Sequence, residues 1–228
     1  MEKHQLHGTI QTEIERPSPD ILAAFAQHDS AKVGDAMGRH GIMEYRMKPI
    51  APGMRVLGPA VTVLTRPGDA LYVAHAADVA EPGDVIVVSA GGWPGVAVIG
   101  ERIAYYMQEK RQITGIVIDG GVRDVKGLRE LNFPTFAIGA TPSIFGSQGP
   151  GAINVTVSCA GVLVNPGDIV LGDDDGVVVV PRDDAERVLA LADEHLAGEL
   201  ERVAMVESGM RLTDVQGLEP RLNGWLAA

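Results

Sequence analysis

The chain has 228 residues, 46% of them hydrophobic and 4% aromatic, enough to bury a full core in one domain, or in one domain plus a helical extension. A formal net charge of -11 and a pI near 4.9 argue against a nucleic-acid partner, since such proteins gather Lys and Arg on one face, but they leave room for one focused cationic pocket. The single cysteine, Cys159, excludes an internal disulfide framework and an all-cysteine metal site, and its apolar strand setting makes it a core residue.

The opening residues MEKHQLHGTI carry charges and no apolar h-region, so no secretory signal is expected. The longest apolar run, Val85 to Gly100, is broken by Gly91, Gly92, Pro94 and Gly95, which a membrane helix of about 20 residues disfavours. A cytoplasmic protein with no membrane partner is the expectation. Ser18 can cap a helix over Pro19 to Gln27, with Ile21, Leu22 and Phe25 on one side, and a second helix is expected from Val33 to Arg39. After Pro49, Pro52 and Gly53, the stretch Met54 to Leu64 reads as a strand, or as two strands around Gly58-Pro59. Ala70 to Ala80 is helical, Pro82-Gly83-Asp84 is a turn, and Val85 to Ser89 is a β-branched run suited to a strand covered on both faces.

The loop Gly91-Gly92-Trp93-Pro94-Gly95 then feeds a segment, Val96 to Lys110, whose spacing of Val98, Ile99, Ile103 and Met107 predicts a helix. A glycine-rich loop at a helix N-terminus offers free N–H groups to a carboxylate or phosphate, or is a structural turn only. It is neither a Walker A loop nor a GxGxxG fingerprint. Glu101 lies just inside this helix, as an ordinary N-terminal charge or as a group that reaches back to a site. Ile116 to Ile118 is a buried strand, Gly120-Gly121 a turn signal, and Val125 to Leu131 a helix, so Arg123 and Asp124 stand at a strand-loop-helix junction. They fit either a solvated pair at a helix start or a guanidinium for an oxyanion beside an oxygen ligand for a divalent cation.

Pro134 to Ile138 is a further strand, and Thr141 to Gly151 is a loop punctuated by Gly and Pro. Asn154 to Val164 and Asp168 to Val180 hold several short strands. The turn Pro-Gly-Asp precedes a Val/Ile strand both at Pro82 and at Pro166. Asp173 to Gly176 reads as a hairpin turn, because three consecutive carboxylates cannot supply the alternating ligands of a calcium loop. From Pro181 to about Gly209 runs one long helix with the stripe Leu189, Ala192, Leu196, Leu200 and Val203, and with Glu199 at its margin. Such a helix can pack on a neighbouring subunit and carry a carboxylate to its site. Lys126 has charged neighbours rather than a desolvating pocket, which disfavours a Schiff base, and His40, His75 and His195 share no metal-ligand spacing.

The whole resembles the 4-hydroxy-4-methyl-2-oxoglutarate/4-carboxy-4-hydroxy-2-oxoadipate aldolase family, whose fold is shared with the regulator of ribonuclease activity A. The resemblance runs from Val33 to the Ala197 segment and is most specific in IVIDGGVRDVKGLRELNFP, Ile116 to Pro134, and CAGVLVNPGDIVLGDDDGVVVVP, Cys159 to Pro181. It implies an α/β fold, an αββα sandwich of the swivelling β/β/α type over residues 1–180, with a C-terminal helical extension over 181–228 packed on a neighbour in a homotrimer or homohexamer. It implies a class II aldolase for a 2-oxo acid substrate, with oxaloacetate decarboxylation as a companion or primary activity, and a non-catalytic regulator as the alternative. Arg123 would polarise the pyruvyl oxygen, Asp124 would anchor Mg2+ or Mn2+, and Glu199 of an adjacent subunit would support the metal's waters. Glu101, where an Asp is more usual, would relay a proton, and the amides around Gly95, Val98, Ile99 and Gly100 would receive the carboxylate. The loop GGWPGVAVIG departs from the family pattern, as does the tail after Met210.

Overall fold

In the computed structural model, which describes residues 8–226, the chain begins with helices α1 (Pro19–Phe25) and α2 (Ser30–Ala36). The first seven residues of the segment read for a secretory signal lie outside the described residues. Then come β1 (Lys48–Pro49), β2 (Val56–Thr65), α3 (Leu71–Val79), β3 (Val85–Ile99), α4 (Glu101–Tyr105), β4 (Gly115–Val122), α5 (Val125–Leu131) and β5 (Thr135–Ala140). Five strands follow: β6 (Gly151–Ile153), β7 (Val157–Cys159), β8 (Val162–Val164), β9 (Ile169–Asp173) and β10 (Gly176–Val180). The chain closes with α6 (Ala185–Glu207), α7 (Leu212–Val215) and α8 (Glu219–Leu226).

The main sheet has the order β1-β5-β4-β3-β2-β9-β10, with β6 added to β2. Its centre, β2 to β5, is parallel. Residues along β3 alternate between two cores, as a pleated strand requires. Ile86 and Val88 face α3, α4 and α5, whereas Val85 and Val87 face the β7–β8 hairpin with Val157, Cys159 and Val164. A third core joins Ile169, Leu171, Val178 and Val180 to Phe25 and Val33 of the first two helices and to Val188 and Ala192 of α6. The result is the expected mixed α/β sandwich with a long C-terminal helix. That helix buries Ala185, Val188 and Ala192, while Leu200 is 62% exposed. Among the described residues, no helix is long and apolar enough to cross a membrane.

Three expectations on element boundaries change. The second helix starts at Ser30, three residues before Val33, because Asp29 caps it by accepting from the Lys32 N–H at 2.9 Å. Gly58-Pro59 does not divide two strands; it marks where β2 changes partner, from β9 over Val56–Pro59 to β3 over Ala60–Leu64. Proline lacks an N–H for the ladder, so it suits this changeover. The third correction falls on Val96 to Lys110: residues up to Ile99 continue β3, and the helix starts only at Glu101. Ala97 and Ile99 pair with Gly121 and Val122 across register shifts. A run that is apolar on every side satisfies both periodicities, and here a paired neighbour strand decided between them.

Asp69 ties down the loop between β5 and β6. Its Oδ2 accepts the N–H groups of Gln148 (2.8 Å) and Gly149 (2.9 Å), and its Oδ1 accepts that of Leu71 (3.0 Å). Burial opposes ionisation here, yet these three N–H donors together hold the carboxyl below its ordinary range. A lowered carboxyl pKa contributes stability that is present above the unfolded value of about 3.9 and lost as pH falls through the folded value. Urea unfolding of the wild type is therefore expected to weaken more steeply from about pH 5 to about pH 3 than that of Asp69→Asn, which is weaker at neutral pH by about 1–3 kcal/mol. Parallel pH profiles for the two proteins would refute this role.

Candidate active site

Strand β4 ends at Val122 and α5 begins at Val125, so Arg123 and Asp124 are the entire connection. The Arg123 N–H donates to the Ile99 carbonyl at 3.0 Å, fixing the turn against the end of β3. Asp124 then takes the left-handed conformation, φ 58° and ψ 39°. That conformation is costly for most residues with a side chain, by about 1–3 kcal/mol, and tolerated best by Asn, Asp and Gly. Asp124 occupies the N-cap position, but its carboxylate makes no cap bond to α5. It turns to Arg123 instead, whose Nε donates to Oδ1 at 3.1 Å. Both side chains stay within reach of solvent, 29% and 39% exposed.

Two glycines make room for this corner. A Cβ on Gly100 would lie 2.3 Å from Asp124 Oδ2 and 3.0 Å from Arg123 Cγ, so an added methyl would force the pair to shift. A Cβ on Gly127 would lie 2.1 Å from Glu101 Oε2. Glu101 therefore lies against Gly127 in the first turn of α5, the helix that Asp124 opens. Hollows open on both sides of the pair, one of about 350 Å³ with Val125, Thr141 and Pro142. The other, of about 270 Å³, has Gly100, Arg102, Ile103, Ile144 and Phe145.

The remaining residues singled out by the sequence fall as follows. Gly95 is exposed, and its carbonyl accepts from the Thr141 hydroxyl at 3.4 Å. Val98 and Ile99 are strand residues with side chains in the core, and Gly100 alone of these four lines a hollow beside Arg123. Glu199 lies in a separate groove of about 470 Å³ between α2 and α6, 3.3 Å from Lys32 Nζ, so one chain by itself does not bring it to the pair. Lys126 is 89% exposed and 3.7 Å from Glu130. The acidic turn is a hairpin in which Asp173 binds Ser30 and Asp174 accepts from the Gly53 N–H. Cys159 is buried, which pushes its thiol up and leaves it inert.

Sequence reasoning passed over Asp119. It is buried in β4, burial pushes its carboxyl up, and the N–H groups of Ala90, Gly92 and Ala160 partly offset that rise. The carboxylate links the glycine-rich segment of β3 to the β7–β8 turn and so supports the floor beneath the site. A lone carboxylate after three β-branched residues was the available signal, since a buried charge must be paired or bonded. Arg102, Ile144 and Phe145 were also missed, because contact across loops leaves no spacing in the chain.

The chain and its fold are similar to known proteins. A family model described as RraA-like, Aldolase/RraA, matches residues 30–179. The chain belongs to that family. A Halalkalibacterium halodurans protein provisionally named 4-hydroxy-4-methyl-2-oxoglutarate aldolase is 38% identical over 76% of this chain and 82% of its own. Among solved structures, an uncharacterized Pseudomonas syringae protein superposes with TM-score 0.79 at 28% identity over 90% of this chain and 96% of that one. Streptomyces coelicolor RraAS2, described as an unusual member of the RNase ES inhibitor RraA family, gives 0.72 at 30% identity over 83% and 100%.

The donors fit a hard, partly hydrated divalent cation. Such ions are held by one or two carboxylates and complete their shell with water and substrate oxygens. Asp124 offers one carboxylate turned out of its helix, and among the described residues no three His, Cys, Asp or Glu side chains cluster as a closed cage. The glycines supply a test of the corner. In Gly127→Ala the new methyl displaces the flexible Glu101 carboxylate while raising helix propensity by up to about 1 kcal/mol, so unfolding is expected at equal or higher urea. A Gly127→Ala protein that unfolds at clearly lower urea than the wild type would show that Glu101 is held too firmly to give way.

Proposed function

We propose that the protein is a divalent-metal-dependent lyase that releases pyruvate from a 4-hydroxy-2-oxo di- or tricarboxylic acid and also decarboxylates oxaloacetate. The observation that carries this reading is the Arg123–Asp124 corner: a left-handed Asp, freed from capping, beside a guanidinium and flanked by two hollows. The names of aldolase relatives support the same reaction class.

Arg123 donates to the 2-oxo oxygen and holds the charge that develops there, an interaction worth most in the transition state. Glu101, through a water, takes the proton of the substrate's 4-hydroxyl. As the C3–C4 bond breaks, C4 departs as the carbonyl of the second oxo acid and the electron pair remains on the pyruvyl unit as an enolate. The same water, with the proton that Glu101 took, protonates C3 and completes pyruvate. Oxaloacetate reaches the same enolate by loss of CO2, which is why one site serves both. Asp124, with Glu199 of a neighbouring subunit in a homotrimer or homohexamer, would hold Mg2+ or Mn2+, and the bound ion supplies Lewis-acid polarisation of the 2-oxo acid.

Likeness to the Streptomyces RraA protein favours a second reading, a non-catalytic ribonuclease regulator. Pyruvate release from oxaloacetate and from 4-hydroxy-4-methyl-2-oxoglutarate, followed with coupled lactate dehydrogenase, separates the two. Turnover is expected with Mg2+, none with EDTA, and a loss of about 100-fold or more in Arg123→Ala. Activity that survives EDTA would sink the metal mechanism; inactivity on both substrates would leave the regulator in front.

A further inference from the structure

The smaller hollow beside the corner carries chemistry that a pyruvyl group does not use. Arg102 follows Glu101 on α4 and lines this hollow. Among the described residues its guanidinium has no ion pair and no side-chain hydrogen bond, unlike Arg123 with Asp124 or Arg16 with Asp84. An unpaired guanidinium on a chain of net charge -11 is a ready partner for a carboxylate.

Ile103, Ile144 and Phe145 supply the apolar part of the same hollow. Ile144 is 71% exposed, yet its loop is closely tied. The Ser143 carbonyl accepts the Ala97 N–H at 3.2 Å, Gly146 bonds to Gly68 at 2.7 Å and to Ala70 at 2.9 Å, and Asp69 holds Gln148 and Gly149. A large apolar side chain kept at the surface by so bonded a loop is a contact face held in place, as a binding wall requires.

We propose that this hollow is the subsite for the distal half of the substrate, with Arg102 taking a carboxylate beyond the cleaved bond and Ile144 and Phe145 lying against the hydrocarbon between. The inference rests on Arg123 and Asp124 being the pyruvyl centre. Arg102 is thus a specificity residue, dispensable for the bond-breaking step.

Titration calorimetry of the full chain with Mg2+ tests this, using oxalate for the pyruvyl enolate alone and 2-oxoglutarate for a ligand that adds the distal carboxylate. Arg102→Gln is expected to weaken 2-oxoglutarate about tenfold or more and oxalate by less than about twofold. Arg102→Lys recovers part of the loss, and added salt shrinks the difference, as for an exposed charge pair. Ile144→Ser is expected to reduce the kcat/KM preference for 4-hydroxy-4-methyl-2-oxoglutarate over its desmethyl counterpart by about threefold. Equal effects of Arg102→Gln on both ligands, or none on either, would overturn the subsite while leaving the pyruvyl centre intact. Failure of the wild type both to bind oxalate and to release pyruvate from oxaloacetate would instead remove the pyruvyl centre, and the subsite with it.

Discussion

The site depends on the backbone of one residue. Asp124 sits in the left-handed region at the start of α5, and that conformation takes its carboxylate out of the capping role and places it on Arg123 Nε at 3.1 Å. An Asp with ordinary extended N-cap geometry would spend its oxygens on the α5 amides. Everything nearby accommodates this choice: Gly100 leaves space where a methyl would strike Oδ2, the Ile99 carbonyl fixes the Arg123 amide, and Leu128 N–H closes on the Asp124 carbonyl. Strain of this kind persists where surrounding structure over-determines it.

That over-determination comes from the sheet. Strands β3 and β4 are parallel, β4 buried throughout and β3 buried over Val85–Ala90 and again over Ala97–Ile99, so their C-terminal ends are fixed relative to each other, and ligand sites of open parallel sheets form at those ends. Two buried carboxylates extend the rigidity outward. Asp119 binds the glycine-rich part of β3, and Asp69 binds the loop that carries Ile144. The acidic residues of the chain thus have an internal use, as carboxylates that collect backbone N–H groups around the Arg123–Asp124 corner.

Much of this was legible in the chain. The β-branched runs, the Ser18 cap, the Pro-Gly-Asp turns and the Asp-Gly hairpin are local signals, and each has the structure its chemistry requires. In the turns at Pro82 and Pro166 the Asp side chain accepts the N–H three residues earlier, of Glu81 and of Asn165, both at 2.8 Å. The junction holding Arg123 and Asp124 was also readable from the strand and helix on either side, although Gly120-Gly121, expected as a turn, continue β4 to Val122. What escaped was decided across space. The extension of β3 to Ile99 needed β4 as a partner, the handover at Pro59 needed β9, and the wall of Ile144 and Phe145 needed Asp69 from another loop. Apolar periodicity cannot distinguish a strand from a helix when both faces are covered.

The central claim is that Asp124 is turned out of its helix to hold a cation beside Arg123. Mn2+ binding followed by electron paramagnetic resonance measures this directly, on the wild type, Asp124→Ala and Arg123→Ala, with and without oxalate. The account predicts one Mn2+ per chain that oxalate tightens in the wild type, no such binding in Asp124→Ala, and Mn2+ binding without the oxalate effect in Arg123→Ala. Mn2+ binding that is unchanged in Asp124→Ala would contradict it.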